Sequence, residues 1–128
     1  MNKEIRILIK YRLLRADETL EDAGILFNHH KLFSTVNRIY YAMFYSVAAL
    51  LLSKGLSSSK HSGLMGLFNR EFVKSGLIDK ELGRFYNEMF EFRQKSDYKD
   101  LVKFEIKEVE LWLSRAGEFI TAVKGLIR

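Results

Sequence analysis

Apolar residues recur along this chain at spacings of three and four, and the runs that keep this rhythm divide it into five helical stretches. The first is predicted from about Lys3 to Phe27, with Ile5, Ile9, Leu13, Ala16, Leu20, Ala23 and Phe27 on one stripe and Asn2 placed to cap it. A polar linker, Asn28-His29-His30-Lys31, leads to a second from about Phe33 to Lys54, closed by Gly55. Phe33, Val36, Ile39, Tyr40, Met43, Val47, Leu50 and Leu51 give it a wide buried face. Asn37, Tyr41, Tyr45 and Ala48 form a second stripe beside that face. After Ser57-Ser58-Ser59, a shorter helix is predicted from about Lys60 to Lys74, with Ser59 as its cap and Gly76 as its stop. Asp79 caps a fourth helix reaching about Lys95, whose stripe is Leu82, Phe85, Tyr86, Met89 and Phe92. The last starts near Leu101 and carries the cleanest repeat: Val102, Ile106, Val109, Leu113, Ala116, Ile120, Val123 and Ile127. Connections this short favour antiparallel neighbours. The pattern therefore predicts a single all-α domain over residues 1–128, an up-and-down helical bundle of four long helices plus one short helix.

Composition agrees with that reading. The 128 residues include no proline, the commonest helix breaker, and no cysteine, which excludes disulfides and thiolate chemistry. No apolar run reaches the length of a membrane span, and the N-terminus lacks a signal-peptide core, so a cytoplasmic location with no membrane association is expected. The net charge of +5 is uneven: residues 1–60 carry +4 and residues 61–128 carry +1. In the first helix Arg6, Arg12 and Arg15 precede Asp17, Glu18, Glu21 and Asp22, an order that opposes the helix dipole. Those arginines are either ordinary solvated charge or have an anionic partner.

Several chemistries are excluded by spacing. No Glu has a His three residues later, as a di-iron bundle would require. His29 and His30 are adjacent, so on a helix they diverge and share no metal. No metal site and no cofactor are expected. Three polar constellations remain. Asn37-Arg38-Ile39-Tyr40-Tyr41-Ala42-Met43-Phe44-Tyr45 sets an amide, a guanidinium and three phenols in a helix that otherwise reads as buried. Each such group left unpaired in a core costs about 1–3 kcal/mol, so the segment implies a hydrogen-bonded network or a site. Lys60-His61-Ser62-Gly63 opens the short helix, where backbone N–H groups beside a Lys and a His suit a phosphate, or where serine capping alone is at work. Arg93-Gln94-Lys95-Ser96-Asp97-Tyr98 puts Arg93 and Asp97 four apart, to meet on one face if the helix persists that far, either as a site or as a structural bridge.

Together these three segments, in this order and followed in the short helix by Phe72-Val73-Lys74-Ser75-Gly76, make the chain resemble the HEPN family, in its small stand-alone prokaryotic branch. The resemblance covers about Ala16 to Phe119. It implies a helical bundle that forms a homodimer, an association with nucleotides or RNA, and a minimal nucleotidyltransferase as partner in toxin–antitoxin pairs. Ribonucleases of the family are metal-independent and carry an Arg followed four to six residues later by a His. Arg93 matches the Arg, but Tyr98, Lys99 and Asp100 stand where the His would fall. A phenol is a poor proton shuttle at neutral pH beside an imidazole.

The leading expectation is a non-hydrolytic nucleotide- or RNA-binding module. Asn37, Tyr41, Lys60, His61, Arg93, Asp97 and Tyr98 are its nominated site residues. Arg93 would grip a phosphate and Tyr41 or Tyr98 would stack on a base, while Asn37 orients them. Tyr98 is also a candidate acceptor of a nucleotide from the partner enzyme. The alternative is a ribonuclease toxin whose catalytic set is Arg93, Asp97, Tyr98 and His61. A third reading makes the cluster pure architecture. Ile7, Tyr11 and Leu14, with Phe90 and Trp112, are expected as exposed apolar excess meeting another chain.

Overall fold

A computed structural model describes residues 2–98, 100 and 102–127, the Tyr98 side chain excepted. The chain folds into an all-α bundle: α1 (Lys3–Asn28), α2 (Leu32–Ser53), α3 (His61–Phe68), a π-helical turn (Asn69–Val73), α4 (Lys80–Tyr98) and α5 (Ile106–Gly125). Among the described residues no helix is long and apolar enough to cross a membrane.

The helix ends follow the local chemistry. The Asn2 side chain accepts the N–H of Ile5 at 2.8 Å and starts α1. At its other end His30 adopts φ 59°, and the N–H groups of His30 and Lys31 return to the carbonyls of Phe27 and Leu26. That paired closure leaves His30 as the left-handed terminator of the helix, a role open to His more than to most side chains. Gly55 closes α2 in the same way at φ 74°, with Leu56 bonded back to Leu51.

α2 is the central helix, packed against α1, α3, α4 and α5. Twelve of its residues are buried, among them Val36, Ile39, Tyr40, Met43, Val47, Leu50 and Leu51. Phe33, expected in that face, is exposed because the helix begins beyond the core. Tyr40, Phe68, Tyr86 and Phe119 form an aromatic centre, with Tyr86 and Phe119 stacked at 5.4 Å and Phe68 edge-on to Tyr86 at 5.5 Å. Phe90 and Trp112 are buried, which corrects their expected exposure. Trp112 lies flat on Phe92 at 4.7 Å, so an indole at the edge of the α5 stripe is covered by α4.

Two boundaries differ from the sequence reading. The short helix does not run unbroken to Lys74: it widens into a π turn in which the Lys74 N–H bonds to the Asn69 carbonyl. Leu64, Phe68 and Phe72 are spaced four apart, more than an α-helical turn, and the wider turn absorbs the excess so that all three stay buried. There Asn69 exchanges amide hydrogen bonds with Asn87 of α4, at 2.9 and 3.1 Å. The last helix starts at Ile106 rather than near Leu101. Phe104 instead packs edge-on against Trp112 and Phe33, tying the connection to α2. Val102 therefore falls outside the helical stripe, and Ile106 on its first turn is exposed.

Candidate functional site

Tyr40 is turned into the bundle from α2, its ring parallel to Tyr86 at 6.1 Å and edge-on to Phe90 at 6.0 Å. The Tyr40 hydroxyl lies 3.0 Å from Nδ1 of His61, the first residue of α3. The imidazole is sandwiched beside α2, flat on Phe44 at 4.2 Å and edge-on to Tyr41 at 5.6 Å. Gly63 permits this approach, since a Cβ there would run into the Ser58 side chain folded over the first turn. Ser58 Oγ accepts the Lys60 N–H at 3.3 Å. Lys60 holds the cap position with no side-chain hydrogen bond, so the expected Ser59 cap is replaced by a turn closed one serine earlier.

Arg93 enters from α4, which extends to Tyr98 and so carries Asp97 on the same face. Its guanidinium carbon lies 4.9 Å from the Tyr40 ring centre, 5.7 Å from that of Tyr41 and 6.0 Å from that of Phe90. Cation–π contact of this kind holds a guanidinium without consuming its N–H donors. The Arg93 side chain is 12% exposed and donates to Asp97 across 3.4 Å, a long contact for a charged pair, with Asp97 34% exposed. Among the described residues, Nε of Arg93 is buried with no partner. A buried donor left this way costs about 1–3 kcal/mol, so packing alone does not account for an arginine here.

Ionisation follows from the same packing. Burial pushes the Tyr40 phenol up to about 12, although Arg93 beside it draws it down. Burial first, and Arg93 second, hold the His61 imidazole below its ordinary value, so it is neutral at pH 7. A neutral imidazole has one N–H, and Tyr40 decides which. The buried Tyr86 hydroxyl, though close enough to perturb Tyr40, is not in hydrogen-bonding geometry with it. Among the described residues the Tyr40 proton thus goes to Nδ1 of His61. With the phenol as donor, the imidazole proton belongs on Nε2, which would make His61 a neutral N–H donor near the Arg93 cation.

Beside Asp97 a cleft of about 380 Å³ is lined by Leu26, Phe33, Asn37, Arg38 and Ser96 among others. Arg38 stacks over Tyr41 at 5.1 Å and donates from Nε and Nη2 to the Asn37 side-chain oxygen at 3.0 and 2.7 Å. Three cationic or imidazole groups therefore converge on the Tyr40–Tyr41 pair.

Comparison with known proteins places the whole arrangement. The HEPN domain family matches residues 9–126. The chain belongs to the HEPN domain family. A UPF0332 protein of Thermotoga maritima is 54% identical over 99% of this chain and 96% of its own length. Two proteins of Methanocaldococcus jannaschii, each named as a candidate toxin, are 37% identical over 86% of this chain and 75% of their own, and 35% identical over 100% and 95%, respectively.

Within this HEPN bundle, Tyr41, His61 and Arg93 meet around Tyr40, and Asp97 stands at their edge. Asn37 lies one turn from Tyr41 in the cleft, its oxygen engaged by Arg38 rather than by Arg93. Lys60 is exposed beside His61, and among the described residues no hydrogen bond or ion pair joins its ammonium to the cluster. The Tyr98 side chain lies outside the described residues. The sequence reading placed Tyr40 on the buried face and did not nominate it, Phe44, Phe90 or Arg38 as site residues, although it singled out the polar segment Asn37–Tyr45 that holds three of the four. The signal was present in Tyr40 and Phe44, which sit four apart where a His can lie between a phenol and a phenyl ring. His29 and His30 lie exposed at the α1 turn, and no group of three candidate donors for a metal occurs among the described residues.

Proposed function

We propose that this HEPN-domain protein binds the phosphate of a nucleotide or of an RNA strand at Arg93, without hydrolysing it. One observation carries the reading: among the described residues, Arg93 rests on three aromatic rings, its buried Nε has no partner, and its contact to a carboxylate is the long one to Asp97. A guanidinium fixed by π faces keeps its fork of donors for a planar, multidentate anion. Tyr41 supplies a partly exposed ring for a base, and His61, with its proton on Nε2, a further donor to a phosphate oxygen. The resting tautomer supports binding over turnover, since a neutral Nε2–H is neither a base nor a strong acid.

The finer reading has this module working with a small nucleotidyltransferase in a two-component, toxin–antitoxin-like system, with Tyr98 as a candidate site of nucleotide transfer. The names of the two archaeal relatives support the toxin side of such a pair. A homodimer is part of the reading, supported by Ile7, Leu14 and Ile25, which are 58%, 56% and 53% exposed along one line of α1.

A second reading, a metal-independent ribonuclease, is favoured by the nearness of His61 to Arg93. In it the imidazole from α3 replaces the His missing after Arg93. Nε2 would then need its lone pair, to take the proton of a ribose 2′-hydroxyl as that oxygen attacks phosphorus and the bond to the 5′-oxygen breaks, the leaving oxygen taking a proton from water or back from the imidazolium. Native mass spectrometry of the purified protein tests the first reading. A retained nucleotide or RNA fragment, absent from Arg93→Ala, supports it. Cleavage of RNA in the presence of a chelator, abolished by His61→Gln, favours the second.

A further inference from the structure

A second cavity, of about 510 Å³, opens between the first half of α1, the middle of α2 and the serine loop before α3. Its wall includes Tyr11, Arg12, Arg15, Phe44, Tyr45 and Ser58. Its volume suits a ligand of nucleotide size. Arg12 uses one N–H on the Ala48 carbonyl at 3.5 Å. Arg15 lies over the Tyr45 ring at 5.3 Å. Among the described residues neither guanidinium has a carboxylate within ion-pairing distance. The Tyr45 hydroxyl is the main influence on the Arg15 guanidinium, and Glu18, one turn along α1, is a minor one. These are the arginines whose place in the basic half of α1 opposes the helix dipole.

The cavity is continuous with the Arg93 cluster through aromatic rings of α2. Phe44 forms part of its wall and on its other side stacks on His61 at 4.2 Å. Along the surface of α2 the steps from Arg15 to Tyr45, from Tyr45 to Tyr41 and from Tyr41 to Arg93 are 5.3, 6.3 and 5.7 Å. Arg38 also sits over the Tyr41 ring, at 5.1 Å. Tyr41 and Tyr45 are partly exposed, so their faces are open to planar ligands. Two phenol rings of α2 with a guanidinium at either end, Arg15 from α1 and Arg93 from α4, match what a short single strand offers, bases flanked by phosphates. One mononucleotide has too few phosphates to engage both ends.

Resting on the reading of Arg93 as a phosphate anchor, we infer that the Arg12–Arg15 cavity is a second phosphate-and-base subsite, and that the ligand is a single-stranded RNA running across Tyr45 and Tyr41 between the two. The Arg93–His61 end holds one phosphate, the two rings stack on intervening bases, and Arg12 with Arg15 holds a phosphate further along the strand.

Fluorescence anisotropy with a labelled adenylate octanucleotide and a labelled dinucleotide tests this. The wild type binds the octanucleotide at least tenfold more tightly. Arg12→Gln/Arg15→Gln removes that advantage and lowers the log–log salt slope by about 0.7, the value for one phosphate of a single strand. Tyr45→Leu, which leaves every charge in place, weakens the octanucleotide without changing the slope, and it decides the matter if the double variant does not fold. Equal affinity for the two lengths, with loss only in Arg93→Ala, overturns the extended track and leaves the Arg93 reading standing. Absence of binding to either oligonucleotide by the wild type overturns both.

Discussion

The Tyr40 hydroxyl and Nδ1 of His61 are 3.0 Å apart, and that contact joins α2 to the first turn of α3 while bearing on which imidazole nitrogen keeps the proton. Because the phenol keeps its proton far above neutral pH, it acts as a fixed donor. Tyr40→Phe removes that donor with little change of shape. The expected result is a loss of about 0.5–1.5 kcal/mol in stability, measured by denaturant unfolding. Nitrogen-15 shifts should show His61 held in the Nε2–H form in the wild type and released to a mixture of tautomers in the variant. A wild-type His61 protonated on Nδ1 would contradict the assignment and strengthen the ribonuclease reading.

The same pair shapes the dependence of stability on pH. The His61 pKa is depressed on folding, so its contribution is present above about pH 6.5, the unfolded value, and is lost as pH falls through the lower folded value. Melting temperature should therefore drop on acidification below pH 6.5, and His61→Gln should flatten that part of the curve. Tyr40 behaves in the opposite sense. Its pKa rises from 10.0 to about 12, so stability is intact below pH 10 and declines as pH climbs toward 12. Buried Tyr86, pushed up by burial and by Tyr40, adds to the alkaline loss. Thermal melts of Tyr40→Phe between pH 9 and 12 should decline less steeply than those of the wild type.

Gly83 marks the closest approach of α4 to the π turn. A Cβ at this position would lie 2.7 Å from both Val73 methyl carbons. Gly83→Ala is expected to destabilise the protein by about 1–3 kcal/mol through overpacking, despite the better helix propensity of alanine. Val73→Ala should recover much of that loss in the double variant, and a double-mutant cycle in urea measures the coupling. Strict additivity of the two changes would show that the backbones separate without strain.

Much of the bundle was legible because burial follows helical period. Ile9, Ala16 and Ala23 of α1 were readable in this way, as were Val109, Ala116, Ile120 and Val123 of α5. The start of α5 was not, because Val102 fits the repeat by spacing while Phe104 is drawn to Trp112 and Phe33, a contact between residues far apart in sequence. The π turn was hidden for a related reason: it depends on Asn69 meeting Asn87 across to α4. In the site, the Arg93–Asp97 pair could be read from its spacing of four. His61 could only be nominated, since its place beside Tyr40 depends on how the serine loop returns over Gly63. Tyr40 was hidden by its neighbours, because one ring serves both the core and the site.

The most direct test of the account is the Arg93 guanidinium itself. In nitrogen-15-labelled protein its Nε–H resonance is assigned by its loss in Arg93→Lys, and the wild type is then titrated with adenosine monophosphate. The account predicts a saturable shift of that resonance as the guanidinium takes up the phosphate, with no saturation in Arg93→Ala followed at neighbouring amides. An Arg93 resonance that stays fixed while the nucleotide binds elsewhere, or no binding at all, would contradict Arg93 as the phosphate anchor and leave the cluster as a brace between α2, α3 and α4.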